Sequence, residues 1–467
     1  MVRFRKSQLY TVWLVLIIIL LVVNWIGLRD RYVTSTYPTD NATQIALGDL
    51  DVSKPGLELV YLTPSRVIIV GGLTASPWQE TVFQNPDWET NPLIALSVGD
   101  YYDEYKGDEI AVLTQDGILH LNFRGAAIWH SEEIGNLPDG YPVWTTNHMF
   151  AGQFITTSDA MEIAIIGQHY NVSTTTSTGH IYVASRFNST TWNIDQVHTE
   201  LTILLTGAAG NVDTSNSGDE LIAGGIDTGA FYLRYDEGTW TITQLIEWGG
   251  VTRSIAVGDF MLQPAGNEIA IVRDHDIRVF YRQLGEWITT TIWSEEHLQI
   301  GIESVFIGDI DPFNPGHEVL GVGTVNENTK PVLVVLKHML SWEPNILWHL
   351  VESPTNVIAK NFDFNRLGTE ILISNPPQTT VLSVPTNSDR ILRAGVAVLI
   401  PAILLLPATF LLFALAEYFG KVTDERRRAR ALEMIAQGYV RCPVCRRYIP
   451  KDKAEAHKRW HRTQQFY

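Results

Sequence analysis

The stretch "GNVDTSNSGDEL" (210–221) decides the fold, because the chain repeats its plan. "GDLDVSKPGLEL" from Gly48, "GDYYDEYKGDEI" from Gly99, "GQFITTSDAMEI" from Gly152, "GDFMLQPAGNEI" from Gly258, "GDIDPFNPGHEV" from Gly308 and "KNFDFNRLGTEI" from Lys360 follow it. In each copy a polar residue (Asp49, Asp100, Gln153, Asn211, Asp259, Asp309, Asn361) stands nine positions before a glutamate (Glu58, Glu109, Glu162, Glu220, Glu268, Glu318, Glu370). Successive glutamates are 51, 53, 58, 48, 50 and 52 residues apart, the size of one four-stranded propeller blade.

The residues between the copies read as strands. "TRSIAVGDF" from Thr252, "NEIAIVRD" from Asn267, "IRVFYRQ" from Ile277 and "WITTTIW" from Trp287 alternate apolar and polar residues between turn residues, and no helical period competes. The pattern predicts an all-β chain, a seven-bladed β-propeller over residues 29–390 whose blades bury their faces against one another. The last blade lacks a fourth strand, since "TTVLSVP" from Thr379 runs through "TNSDR" into an apolar segment. "YVTSTYP" from Tyr32 has strand composition and is expected to fill the gap. Tryptophan recurs near the ends of blades (Trp240 and Trp248, Trp287 and Trp293, Trp342 and Trp348), a pattern that blade packing explains and a sugar-binding platform would also produce.

The Gly-Asp-x-Asp…Gly-x-Glu-Ile/Leu phrase resembles the FG-GAP/VCBS class of propeller repeat over residues 44 to 385. That resemblance implies adhesion or ligand recognition, and calcium held by Asp-x-Asp-x-Asp-Gly loops. Most loops here lack the third carboxylate. Asp49, Asp51 and Glu58, Asn211, Asp213 and Glu220, Asp309, Asp311 and Glu318, and Asn361, Asp363 and Glu370 come closest to a calcium set. The competing expectation is structural: the first polar residue accepts hydrogen bonds from loop amides, glycine takes a positive φ, and the glutamate closes the turn.

Two uncharged runs flank the repeats. Residues 9–28 are long enough to cross a bilayer core and follow Arg3, Arg5 and Lys6; residues 394–416 form the second run. No small-x-small cleavage site follows the first, so it reads as an uncleaved anchor. Residues 421–467 hold 13 Lys and Arg against 5 Asp and Glu, whereas residues 29–390 hold 17 against 45. The positive-inside rule therefore places residues 1–8 and the tail in the cytoplasm and the acidic propeller outside the cell membrane, in contact with lipid only through its anchors. An acidic outer domain argues against nucleic acid as its partner. Asn41, Asn171 and Asn188 begin glycosylation sequons, which carry meaning only on the outer side.

The tail continues as a basic helical segment, 417–440, and ends in a finger, 441–464. The chain's two cysteines, Cys442 and Cys445, have the spacing of a zinc knuckle, and His457 and His461, four apart, face one ion from a helix. Asp452 and Glu455 have the spacing of a capping box. The arrangement resembles the two-Cys, two-His zinc finger, a small ββα unit, with a shorter Cys-to-His interval. Four protein ligands leave no open position, so the expected zinc is structural and the finger's expected partner is a cytoplasmic protein.

No Gly-x-Ser-x-Gly elbow, phosphate-binding glycine loop or His-Glu-x-x-His helix occurs, so no catalytic residues are assigned. The reading expects a membrane-anchored, non-enzymatic surface receptor, adhesion protein or scaffold whose propeller binds a protein or glycan. An envelope-anchored lyase or glycosidase with its site in the propeller channel, and a structural subunit of a membrane assembly, are the alternatives.

Overall fold

The structure, a computed structural model, describes residues 33–383, apart from short stretches such as 54–55, 72–78, 138–143, 311–316 and 361–369, together with residues 415 and 418–464. The chain divides into two compact units. Asp30–Thr386 form one, and Met1–Arg29 with Asn387–Tyr467 the other.

The first unit is a seven-bladed propeller: seven four-stranded antiparallel sheets, six of them made from strands consecutive in sequence. The exception is the seventh. Its strands Asn356–Lys360, Glu370–Asn375 and Gln378–Ser383 are completed by Val33–Pro38, which pairs antiparallel with Gln378–Ser383 in a register that sets Val33 opposite Ser383 and Pro38 opposite Gln378. The N-terminal strand thus fills the gap expected of it. Thr379 donates from its hydroxyl to the Thr39 hydroxyl beside this seam at 3.2 Å, and Tyr37 donates to Glu80 on the outer strand of the first blade.

Burial follows position in the blade. First strands of successive blades lie against one another around the ring. Second strands such as Glu58–Thr63, Glu109–Thr114 and Glu220–Gly225 are buried at every position, because both faces meet a neighbouring blade. The fourth strand of the fourth blade, Thr239–Ile246, is largely exposed. The apolar core is correspondingly divided into seven clusters, one at each blade interface. Leu50, Val60, Val112 and Trp88 join the first two blades, and Tyr37, Leu372 and Val381 with Ile45 and Tyr61 join the seventh to the first. No blade owns a core, so each needs its neighbours.

The repeat phrase is the turn between first and second strands. Gly48 pairs with Glu58, Gly99 with Glu109 and Gly258 with Glu268. Glycine is required there because the next blade comes too close: a Cβ on Gly48 would lie 2.3 Å from Val98 Cγ1, and one on Gly258 2.7 Å from Ile307 Cγ2. In the seventh blade Lys360 takes the position, paired with Glu370.

Among the described residues no helix is long and apolar enough to cross a membrane. The first run expected to span, 9–28, lies wholly outside the described residues, as does 394–416 apart from Leu415. In the second unit residues 418–436 are helical, and Gly438, at φ 86°, ends the helix and starts a hairpin.

Candidate metal centre and the turn face of the propeller

The finger is built from a two-stranded hairpin, Tyr439–Arg441 with Tyr448–Pro450, a short 3-10 turn at Lys451–Lys453 and a helix, Ala454–Gln464. The Lys451 amide donates to the Gly438 carbonyl at 2.9 Å and closes the base of the hairpin. Between the strands the chain reverses through Cys442 and Cys445: the Arg446 amide donates to the Cys442 carbonyl and the Cys442 amide to the Arg447 carbonyl, each at 2.9 Å, with Arg446 at φ 60°. The expected capping box does not form. The chain enters the helix through the 3-10 turn, whose N-cap, Pro450, has no side-chain acceptor, and Glu455 instead pairs with Lys458 at 3.3 Å.

This topology brings all four expected ligands together. One donor atom from each of Cys442, Cys445, His457 and His461 lies within 4.8 Å of the others, the only such group of metal-ligating side chains among the described residues. Cys445 Sγ is 3.2 Å from His457 Nε2. His461 Nε2 is buried with no hydrogen-bond partner, an arrangement that costs free energy unless the nitrogen meets an ion. Burial raises the Cys442 thiol's pKa, but the Cys445 and Val444 amides outweigh it and draw the value below the ordinary thiol range, which favours thiolate. Two thiolates and two imidazoles suit tetrahedral zinc and leave no position for water or substrate. Trp460 lies against both imidazoles, 5.7 Å from His457 and 4.9 Å from His461 between ring centroids.

The seven turns form a second set of candidates, and here the glutamate does more than close the turn. Glu58 Oε2 accepts from the Leu50 and Asp51 amides at 2.9 and 3.2 Å. Glu109 accepts from Tyr101 and Tyr102, Glu162 from Phe154 and Ile155, Glu220 from Val212 and Asp213, and Glu268 from Phe260 and Met261, all within 2.7–3.1 Å. Glu318 accepts from Ile310 at 2.7 Å. The amide-acceptor role expected of the first polar residue therefore belongs to the glutamate. Glycine does take a positive φ at Gly56, Gly107 and Gly266. Burial pushes Glu109 up to about 8 and Glu162, Glu220 and Glu268 up to about 7, against the pull of the amides.

The first polar residue links blades instead. Its carbonyl accepts from the residue before the next blade's glutamate: Asp108 to Asp49 and Asp219 to Gln153 at 2.8 Å, and Met161 to Asp100 at 2.9 Å. Asp108 and Asp219 complete the exchange by accepting from the amides of Asp49 and Gln153 at 2.8 and 2.9 Å.

Of the calcium set, Asp51 and Asp213 form Asx turns, each accepting from the serine two residues on. Each also meets arginine. Ser53 and then Arg124, 2.7 Å away, hold the Asp51 carboxyl well below the usual carboxylate range. Asp213 is paired with Arg234 at 3.2 Å and with Arg282. Arg186 grips Glu104 with both terminal nitrogens, at 2.7 and 2.9 Å, and lies over the Tyr102 ring. In each case but Arg234 the arginine comes from the third strand of the next blade. Sequence reasoning missed these arginines, although "LNFR", "VASR" and "VFYR", ending at Arg124, Arg186 and Arg282, carry the signal at one register position. Asp311, Asn361 and Asp363 lie outside the described residues; Asn211 donates no side-chain bond that decides its role, and Glu370 is buried. Of the sequons, Asn41 and Asn188 are exposed, while Asn171 ends a strand.

The tryptophans divide. Trp240 packs with Phe154, Trp287 with Tyr232 and Trp342 with Phe260, each reaching from an outer strand to the preceding blade, and Trp293 is buried. Trp129 and Trp192 join the same scheme against Phe83 and Tyr102. Trp248 is 58% exposed, beyond its strand, and the Trp348 side chain is outside the description.

With this geometry in view, comparison with solved structures finds 340 matching chains. The fold is similar to that of BBS1N. That chain, from a crystal structure of BBS1N in complex with ARL6DN soaked with lead, superposes with a TM-score of 0.50 at 12% identity, over 77% of this chain and 98% of that one. At that identity the likeness to BBS1N is one of fold. No family model matches the chain, and no curated protein matches it.

Proposed function

We propose that the chain is a membrane-anchored, non-enzymatic scaffold of FG-GAP/VCBS type, with an outer propeller that binds a protein or glycan and a zinc-held finger that docks on the inner side. The observation that carries this reading is the metal cluster: four protein ligands converge with no open position, so the finger's chemistry is to fold a surface rather than to turn over a substrate. The turn carboxylates of the propeller support it, since Glu109, Glu162 and Glu220 are engaged by amides and Asp51 and Asp213 by arginines of the fold itself. The complex in which BBS1N was solved is consistent with a propeller of this kind serving as a protein platform. The anchoring and the orientation rest on the apolar runs at 9–28 and 394–416 and on the charge asymmetry around them.

The test uses intact cells producing the full chain with a C-terminal epitope, as wild type and as Cys442→Ser. External protease is expected to remove the propeller and spare the epitope. Gentle crosslinking is expected to recover an outer partner with both forms and an inner contact with the wild type only. Digestion of the epitope along with the propeller, or an epitope-bearing chain released by alkaline wash, overturns the topology. Recovery of identical contacts by both forms overturns the docking role of the finger.

A further inference from the structure

The finger carries apolar side chains that its own small core does not use. Val444, at the tip of the turn between the two cysteines, is 60% exposed, and Trp460, stacked on the imidazole of His457, is 52% exposed. Both adjoin the cluster of metal-ligating side chains, one through the cysteine turn and the other through the histidine helix, so an ion bound there would hold them at one end of the finger. Exposed cations crowd the same segments: Arg441, Arg446 and Arg447 around the turn, and Lys458, Arg459 and Arg462 along the helix, against Asp452 and Glu455. An aliphatic tip and an indole ringed by arginines match the interfacial zone of a bilayer, where indole sits at headgroup level and guanidinium meets phosphate.

We infer that this end of the finger binds an anionic lipid surface, with Val444 and Trp460 entering the headgroup region and the arginines facing acidic headgroups. The inference rests on reading residues 394–416 as a membrane span. On that reading the helix at 418–436, about 30 Å long, is the tether, so the finger is never further than that from an inner leaflet and meets it at high effective concentration. The apolar tip favours lipid over nucleic acid, which would use the charges and leave Val444 idle, and proximity to the leaflet favours lipid over an acidic protein. Each basic residue close to an anionic leaflet contributes about 1 kcal/mol, or about five-fold.

The experiment takes the full, zinc-loaded chain in vesicles of phosphatidylcholine with and without phosphatidylserine and follows amide hydrogen exchange at 442–447 and 457–463. Exchange is expected to slow about ten-fold or more with phosphatidylserine, to recover in high salt, and to recover in Val444→Ser and in Arg446→Asn with Arg447→Ser, all with zinc content unchanged. Equal exchange in the two vesicles overturns the inference. So does slowing by RNA or by a polyglutamate peptide added to phosphatidylcholine vesicles when phosphatidylserine has no effect. If alkaline wash strips the chain from both vesicles, the anchoring reading fails by itself. Flotation of the stripped chain with phosphatidylserine vesicles then supports the lipid surface, and its failure to float overturns it.

Discussion

Burial alone would exclude a carboxylate from positions such as Glu109 and Glu162, which are 1% exposed, and what holds them there is a pair of successive backbone amides in the turn that donate to it. Removing the side chain strands both donors: Glu162→Ala is expected to cost about 3 kcal/mol, read as a lower denaturation midpoint with an unchanged slope. The same burial sets a pH dependence. Folded values near 7 to 8 lie above the ordinary 4.5, so the folded state binds protons more tightly than the unfolded chain. Their contribution is complete below the ordinary 4.5, declines progressively as pH rises above it, and is gone once pH has passed 7 to 8. Glu109→Gln keeps an acceptor for both amides without the charge; its melting temperature is expected to depend less on pH and to exceed wild type at the alkaline end. The spacing of these glutamates was legible in the sequence, but their role was not, because nothing in a single turn distinguishes the side chain that accepts from the one whose carbonyl reaches the next blade.

Elements of this propeller are fastened by side chains that cross blade boundaries, so the effect of a substitution is felt at an interface more than in a strand. The arginine clasps show this. Asp213 receives guanidinium groups from its own blade and from the next, and Arg282→Ala is expected to lower the thermal midpoint through the interface of the fourth and fifth blades. EDTA is expected to leave that midpoint unchanged, since arginine already supplies the positive charge at Asp51 and Asp213; a fall with EDTA that calcium restores would show that a cation shares the turns. The ring-closing strand is the most consequential single element. Deleting 33–38 leaves the edge of Gln378–Ser383 unpaired and strips Tyr37 from the core between the seventh and first blades, so the shortened chain is expected to aggregate at concentrations where the full chain stays monodisperse. That strand could be read from the deficit of the last blade. The capping box could not be judged from spacing, because Pro450 and the 3-10 turn shift the helix start past Asp452.

On the scale of the molecule, the propeller rests on apolar burial shared around a ring, whereas the finger gathers four side chains that could hold a metal ion. Cys442→Ser is expected to release the zinc and unfold 439–464, seen as loss of one metal equivalent and rapid exchange in that segment, while the propeller's melting temperature stays where it was. The propeller was legible because a period repeated seven times leaves little choice of fold, and the convergence of Cys442, Cys445, His457 and His461 because their order and spacing suit a hairpin followed by a helix; the inter-blade arginines escaped because their partners lie in neighbouring repeats, where sequence spacing varies with loop length. Closing the ring with the first strand also sets a timetable. Thr39 and Thr379, which meet beside the seam, are 340 residues apart, so during synthesis at about 5–20 residues per second the strand at Val33 waits roughly 20–70 seconds for its partner to be made. For that interval the nascent chain carries six incipient blades and an open edge. A chaperone or translocation factor that shields a single β-edge would therefore act on this protein before the ribosome has finished it.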